Sequence, residues 1–357
     1  PDLLSSARAL EIPSDPLFSE QWGLHNTGQS GGSADLDMNI PEAREYTTGD
    51  DAIVIAILDN GMQLDHPDIG PVSGVDFTGN GTAGGPGNEC DNHATLLAGT
   101  IRSIANNAIG IAGVAPQCAL VSVKYGVSTV PCNGNGTFLT SWLVDAIAWC
   151  QNNGVRITNN SNALNPQAAV TTKYQETHAG GVLHVASSGN FFSPLVSYPA
   201  NLPTVVAVGA IDRTGARAAF SNYGTGLALM APGVDIVTTD RTGTDGQVSG
   251  DYDIVEGTSF SAPYAAAVGG LVLAVNPALT PAEVEIIMRG TALDLGAPGY
   301  DTQYGDGLVR AQEAVVAAGA RLPTPTFADC LAGPQTYAPP PACSDLQFEL
   351  CDFDLDD

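Results

Sequence analysis

The run from Ala52 to Leu58, AIVIAIL, has no polar interruption and stops at Asp59, which Asn60-Gly61 follow. A strand with one wet face alternates apolar and polar residues. This run does not alternate, so it predicts a short strand buried on both faces, as in parallel sheets covered by helices. Parallel strands need long crossovers, and the chain supplies them. Strands are predicted at Leu120 to Val123, Val155 to Thr158, Val182 to Ala186 and Val205 to Val208. Helices are predicted at His93 to Ile104, Thr140 to Cys150, Thr171 to His178, Ser259 to Val275 and Pro281 to Arg289. The alternation predicts an α/β chain, a three-layer α/β/α arrangement with a mainly parallel central sheet. No internal repeat is found.

Composition shifts at both ends. Residues 1–14 read as an N-terminal extension, 15–322 as the main folded domain, and 323–357 as a Pro-rich, acidic tail. The chain opens at Pro1 without a basic segment followed by an apolar one. Any signal peptide or pro-segment is therefore expected to be already removed. No uninterrupted apolar run reaches eighteen residues, so no membrane span is expected.

Acidic residues number 38 against 12 Lys and Arg, a net charge of −26, and Lys124 and Lys173 are the only lysines. Nucleic acid and anionic membranes need basic patches, so both are excluded as expected partners. A solvated acidic surface is the plain reading, and a saline habitat the sharper one. The seven cysteines include no CxxC pair, which disfavours structural zinc and favours disulfides in an oxidising compartment.

A serine nucleophile needs a base, and the base needs an orienting carboxylate. Three positions offer these groups. Asp59 stands at the carboxyl end of a buried parallel strand, where open α/β sheets place functional groups, although a turn-forming Asp reads equally well. His93 begins a helix of small residues; taken alone it reads as structural. Ser259 lies in the first turn of a long apolar helix, where free N–H groups favour an oxyanion, although an N-cap serine fits too. Ser261 competes with it and reads as a packing residue.

The segments AILDNGMQLDHPDI, NHATLLAGTI and GTSFSAP, in that order, resemble the subtilisin-like serine proteases, whose motifs follow the chain order Asp, His, Ser. The resemblance runs from Gln21 to Val315 and is closest to thermitase-like and proteinase-K-like members. It implies a subtilisin-like fold, with Asp59 as orienting acid, His93 as base and Ser259 as nucleophile. VASSGN, ending at Asn190, resembles the segment that supplies the oxyanion-hole asparagine. Departures from the family pattern are Ala94 after the histidine, Tyr264 in the nucleophile helix, and NNSNA around Ser161.

The resemblance also implies a groove that binds polypeptide substrates as an added strand, between Gly134-Asn135-Gly136 and Ser161-Asn162-Ala163. Ala186-Ser187-Ser188, with Ser197 opposite, would wall a pocket for apolar or aromatic side chains. SIANNAIGIAGVAP resembles the family's calcium loop. It implies a Ca2+ site from the Asn107 side chain, the carbonyls of Ala105, Ile109 and Ile111, and the carboxylates of Asp15 and Asp68. The tail carboxylates Asp352, Asp354 and Asp356 look like the start of a truncated cation loop, but solvated charges are the plainer reading.

The edge of the sheet that each cysteine reaches pairs Cys90 with Cys132, as in some proteinase-K-like members, and Cys118 with Cys150. Among Cys330, Cys343 and Cys351, one thiol is left odd. The expected protein is a secreted, monomeric serine endopeptidase whose own pro-segment aids folding and inhibits it. Two other classes compete: a scaffold that keeps the fold without catalysis, and an esterase. The esterase reading lacks a G-x-S-x-G elbow.

Overall fold

A computed structural model describes residues 10–319. The tail readings, with Cys330, Cys343, Cys351 and the acidic Asp352, Asp354 and Asp356, lie outside the described residues, as do residues 1–9 of the N-terminal extension.

The strands in chain order are β1 (Val54–Asp59), β2 (Ser73–Asp76), β3 (Ala119–Lys124), β4 (Gly126–Ser128), β5 (Gly136–Phe138), β6 (Ile157–Asn160), β7 (Leu183–Ser187), β8 (Val206–Ile211), β9 (Leu229–Pro232), β10 (Ile236–Thr239) and β11 (Tyr252–Val255). The helices are α1 (Ile40–Arg44), α2 (His93–Arg102), α3 (Thr140–Asn152), α4 (Ala168–Ala179), α5 (Thr258–Val275), α6 (Pro281–Gly290) and α7 (Ala311–Gly319). Seven strands form one sheet in the order β2-β3-β1-β6-β7-β8-β9. Every pairing in it is parallel. The expected three-layer architecture is present, with the uninterrupted apolar run forming β1 inside the sheet.

The two faces can be told apart by their contacts. Gly269 and Gly270 bring α5 down onto Ile157 and Ile55, where a β-carbon would lie within 3.4 and 2.9 Å of their methyls. The residues one position along β6 point the other way: Thr158 meets His184 at 2.6 Å, and Asn160 donates to Tyr174 of α4 at 3.0 Å. Helices α2 and α5 therefore share one face, and α3 and α4 the other. Helix α5 is long and apolar enough to cross a membrane, despite the serines and glycines that interrupt its run, but 83% of it is buried inside the protein. Its composition reflects a core position.

The predicted helix ends shift slightly, most at α4, and α2 shows the physical reason. Helix α4 starts at Ala168, ahead of Thr171. Helix α2 stops at Arg102 because Ser103 turns extended and the Ile104 N–H is taken by the Asp68 carbonyl at 2.7 Å.

The expected Cys118–Cys150 bridge is corrected: both are buried free thiols. Cys118 Sγ lies at Gly270, so it is on the α5 face. Cys150, in α3, lies beside Tyr174 of α4 on the opposite face. The two cysteines reach the same end of the sheet, but the sheet stands between them, well beyond the roughly 7 Å Cα reach of a disulfide. Burial pushes the Cys118 thiol up to about 11 and raises that of Cys150 as well. Cys90 and Cys132 are joined.

Candidate active site

The parallel register sets the carboxyl ends of the strands side by side, with Asp76, Lys124 and Asp59 aligned. Asp59 is 1% exposed, and its Oδ1 accepts the Asn60 N–H at 2.7 Å. His93, the first residue of α2, places Nδ1 2.9 Å from Asp59 Oδ2. Because Asp59 is an acceptor, Nδ1 carries the proton and Nε2 is left as the basic nitrogen. Burial pushes the His93 pKa down, but the charge of Asp59 and its hydrogen bond outweigh this, so the pKa is raised.

Ser259 sits in the first turn of α5, and α2 packs against that helix. The His93 ring meets Phe260 edge-on at 6.1 Å. The Ser259 hydroxyl donates to the Ser161 carbonyl at 3.2 Å. No hydrogen bond between Ser259 and His93 occurs among the described residues; catalytic bonds of this kind often tighten only in the substrate complex. The backbone at this point is fixed by Pro263. Lacking an N–H, Pro263 leaves the Ser259 carbonyl without its helical donor, and Ser161 Oγ donates to it instead at 2.8 Å. Gly257, at φ +145°, enters the helix in a conformation only glycine adopts readily. Ser261 is fully buried and donates to Pro232 O at 3.0 Å, on β9, which fits the expected packing role.

Asn190 ends the segment after β7. Its Oδ1 accepts both the N–H and the hydroxyl of Thr258, at 2.9 and 2.7 Å. That anchors the carbonyl end of the amide and leaves the Nδ2 hydrogens for another acceptor. The Ser259 N–H lies in a first turn, where the helix itself supplies no acceptor. Asn190 Nδ2 and the Ser259 nitrogen both lie within 4 Å of the same point, the place a β-carbon on Gly257 would take.

Behind the site lies a feature that the sequence reading missed. Lys124 and Asp91 are both fully buried and form an ion pair at 2.7 Å. Lys124 also donates to the Asn60 carbonyl, and Asp91 accepts the N–H groups of Gly87 and Ser128 at 2.8 and 2.7 Å. The pair ties the turn after Asp59 to the loop leading into His93. Cys90–Cys132 fastens the same loop to the segment before Gly134.

The expected groove residues fall on two sides of a gap. Gly134-Asn135-Gly136 belongs to the β4–β5 hairpin, and the Asn135 carbonyl accepts the Thr129 N–H at 2.8 Å. Ser161-Asn162-Ala163 follows β6. Gly136, Phe138, Leu143, Ala163 and Leu164 line a cavity of about 280 Å³ between them. Ala186, Ser187 and Ser188 are buried, and Ser197 donates its N–H to the Ser188 carbonyl at 2.9 Å. Asn222 fastens this corner: Nδ2 donates to Ser188 O and Ser197 Oγ, and Oδ1 accepts the Phe191 and Ser193 N–H groups. Phe191, Phe192 and Leu195, at 73, 60 and 73% exposure, stand beside Asn190 and were also missed.

Of the expected calcium residues, Asp15, Asp68 and Asn107 come together. Asp15 is 4% and Asp68 0% exposed. Asp15 accepts the Asn106 and Asn107 N–H groups at 2.8 and 3.1 Å. Asp68 accepts Asn107 Nδ2 at 2.7 Å and the Ile111 N–H at 3.0 Å. Burial raises the Asp68 pKa. No group of three or more His, Cys, Asp or Glu able to hold a metal occurs among the described residues. A cation here would rest on two carboxylates together with amide and carbonyl oxygens, including those of Ala105, Ile109 and Ile111. That all-oxygen set suits calcium, provided the Asn107 amide turns its oxygen inward.

Residues 50–307 match the model of the subtilase family. The chain is 35% identical over 267 residues to a subtilisin of Bacillus pumilus, covering 73% of this chain and 90% of that protein. It is 34% identical over 279 residues to Subtilisin Savinase of Lederbergia lenta, covering 78% and 96%. A solved protease structure from Pseudoalteromonas arctica superposes with a TM-score of 0.70 at 26% identity, covering 86% of this chain and 100% of that one.

Proposed function

The chain belongs to the subtilase family and is a serine endopeptidase, and we propose that Ser259 is its nucleophile, His93 its general base, Asp59 the acid that orients the base, and Asn190 its oxyanion donor. The observation that carries the reading is the 2.9 Å bond from His93 to a buried Asp59, at a helix start packed against the one that bears Ser259.

In the first step Ser259 Oγ bonds to the scissile carbonyl carbon while its proton passes to His93 Nε2. The carbonyl π electrons move to oxygen, where the Asn190 amide and the Ser259 N–H receive the charge. As the C–N bond breaks, His93 returns the proton to the leaving amine, leaving an acyl-enzyme. Water then attacks the acyl carbon while His93 takes its proton; as the bond from that carbon to Ser259 Oγ breaks, His93 returns the proton to Oγ and the carboxylic acid product leaves. Asp59 stays ionised throughout and stabilises the imidazolium.

The substrate would lie extended between 134–136 and 161–163, flanked by the 280 Å³ cavity. The carboxylate-free wall of Ala186, Ser187 and Ser188, and the exposed Phe191 and Leu195, support an apolar or aromatic preference before the scissile bond. The disposition of Asp15, Asp68 and Asn107 supports calcium as a stabiliser. The Cys90–Cys132 bridge supports secretion into an oxidising compartment. A monomer matured from a pro-segment completes the reading, by family resemblance.

The test is fluorophosphonate labelling and casein digestion by the parent and by Ser259→Ala. The parent is expected to label at Ser259 and digest casein. The variant is expected to fold but lose several orders of magnitude in turnover. Wild-type turnover in Ser259→Ala would refute the assignment. Ester hydrolysis without casein digestion would favour the esterase reading.

A further inference from the structure

We infer that Asn162 is a positioning residue for the catalytic carboxylate, holding the Asp59 oxygen that receives His93, in addition to any backbone contact with substrate. The inference rests on the triad reading above.

Three of the Asp59 contacts decide the point. Oδ1 takes the Asn60 N–H at 2.7 Å. Oδ2 takes His93 Nδ1 at 2.9 Å and Asn162 Nδ2 at 3.0 Å. An ionised carboxylate only accepts, so the amide atom facing it is the nitrogen. The Asn162 side chain therefore points inward to the triad rather than outward into the groove.

Its direction is prepared by the chain. Strand β6 lies beside β1 in parallel register, with Ile57 opposite Asn159. Continuing two residues brings the chain after β6 alongside Asp59. The Asn162 N–H is held by Asn160 Oδ1 at 3.1 Å. Asn160 is 1% exposed and cannot swing, because Oδ1 also accepts the Tyr125 hydroxyl at 3.1 Å and Nδ2 donates to Tyr174 at 3.0 Å. A buried polar chain from α4 through Asn160 thus presets the residue that grips Asp59. Buried networks with each member satisfied hold one geometry.

Two consequences follow. With Oδ1 and Oδ2 each held by a donor besides His93, the carboxylate plane is fixed and so is the imidazole. Asn162 also draws part of the Asp59 charge to itself, which moderates the pull on the His93 proton. The other charged or titratable groups near His93 are Asp91, already paired with Lys124 of β3; Arg241, after β10, bound to Asn92 Oδ1 at 3.1 Å; and Tyr125, after β3. Phe260 faces the ring from α5. The Asn162 side chain also meets Tyr125 and, at 3.5 Å, Asn160 Oδ1, but of its partners only Asp59 bonds to His93, so the acid limb reads the Asp59 contact.

The experiment compares the full chain with Asn162→Leu and the nearly isosteric Asn162→Asp, recording kcat and KM on a peptide amide from pH 5 to 10. In Asn162→Leu, kcat is expected to fall about tenfold, the scale of one hydrogen bond to a charged group, with KM within about twofold. Its acid limb should rise by a few tenths of a pH unit as Asp59 acts undiluted on His93. In Asn162→Asp the limb should rise further, because a second carboxylate favours the imidazolium. An acid limb unmoved in both variants overturns the inference, whatever happens to KM. Failure of the parent to label with fluorophosphonate at Ser259 would instead remove the triad reading itself, so the two failures are distinguishable.

Discussion

Replacing Lys124 by Met leaves the Asp91 carboxylate buried without its cation. Both side chains are fully buried, so water does not take over for the ammonium. Asp91 keeps the Gly87 and Ser128 N–H bonds, and the Asn60 carbonyl loses a donor. Breaking one partner out of a buried pair costs about 3–5 kcal/mol. A folded unit of about 310 residues has an unfolding entropy near 0.65 kcal/mol/K, at roughly 2.1 cal/mol/K per residue, so the expected fall in Tm is about 5–8 °C. The assay is thermal and urea unfolding in a Ser259→Ala background, where autolysis does not intrude. The double variant Lys124→Met/Asp91→Asn removes the stranded charge and should recover at least about 2 kcal/mol of the loss, a coupling that a double-mutant cycle reads directly. A single variant within 1 kcal/mol of its parent, or a double variant no more stable than the single, would refute the reasoning. The active parent should also lose turnover on Lys124→Met, because the pair links the turn after Asp59 to the loop before His93.

Asn190→Ala is expected to keep KM nearly unchanged while kcat falls about 10²–10³-fold, the loss measured for such a donor in subtilisin itself; unchanged kcat would remove Asn190 from the oxyanion site. Because Asp59 raises the His93 pKa, activity should climb with pH through a value above the ordinary 6.5, and an acid limb below 6.5 in kcat/KM would contradict that sign. By the same linkage, the stability from the His93 imidazolium beside Asp59 is complete below about pH 6.5 and is lost as pH rises through the raised pKa. Chelation should lower Tm, with Asp68→Asn losing the calcium response; about 2.7 kcal/mol is at stake at a hundredfold excess over Kd, and an unchanged Tm would exclude the site. Alkylation of the unreduced, denatured chain should modify Cys118 and Cys150, while neither reacts in the folded protein; a Cys118–Cys150 peptide would reverse the placement of α3 and α5 on opposite faces.

What the sequence made legible, and what it hid, divides along one physical line. The uninterrupted run before Asp59 announced a strand buried on both faces, and small-residue segments after His93 and Ser259 announced tightly packed helices. It was the resemblance of their segments to subtilisin-like proteases, not the strand pattern, that implied Asp59, His93, Ser259 and Asn190 as one site. The same uninterrupted run carries no record of which residues face which helix layer, because a polar alternation that would mark the faces is missing. The same parity on the neighbouring strand β3 decides whether Cys118 sees Cys150 or Gly270, and reasoning from sheet edges alone chose wrongly. The same kind of orientation explains Asn162. Its position beside the groove was legible, yet its side chain turns to Asp59 because Asn160, Tyr125 and Tyr174 form a buried chain of hydrogen bonds. Those partners come from β6, the residue after β3, and α4, and only the folded sheet brings them together. Lys124 was hidden for a related reason: a lone lysine at the end of an apolar strand reads as a solvated terminus until Asp91 is seen to fold over it.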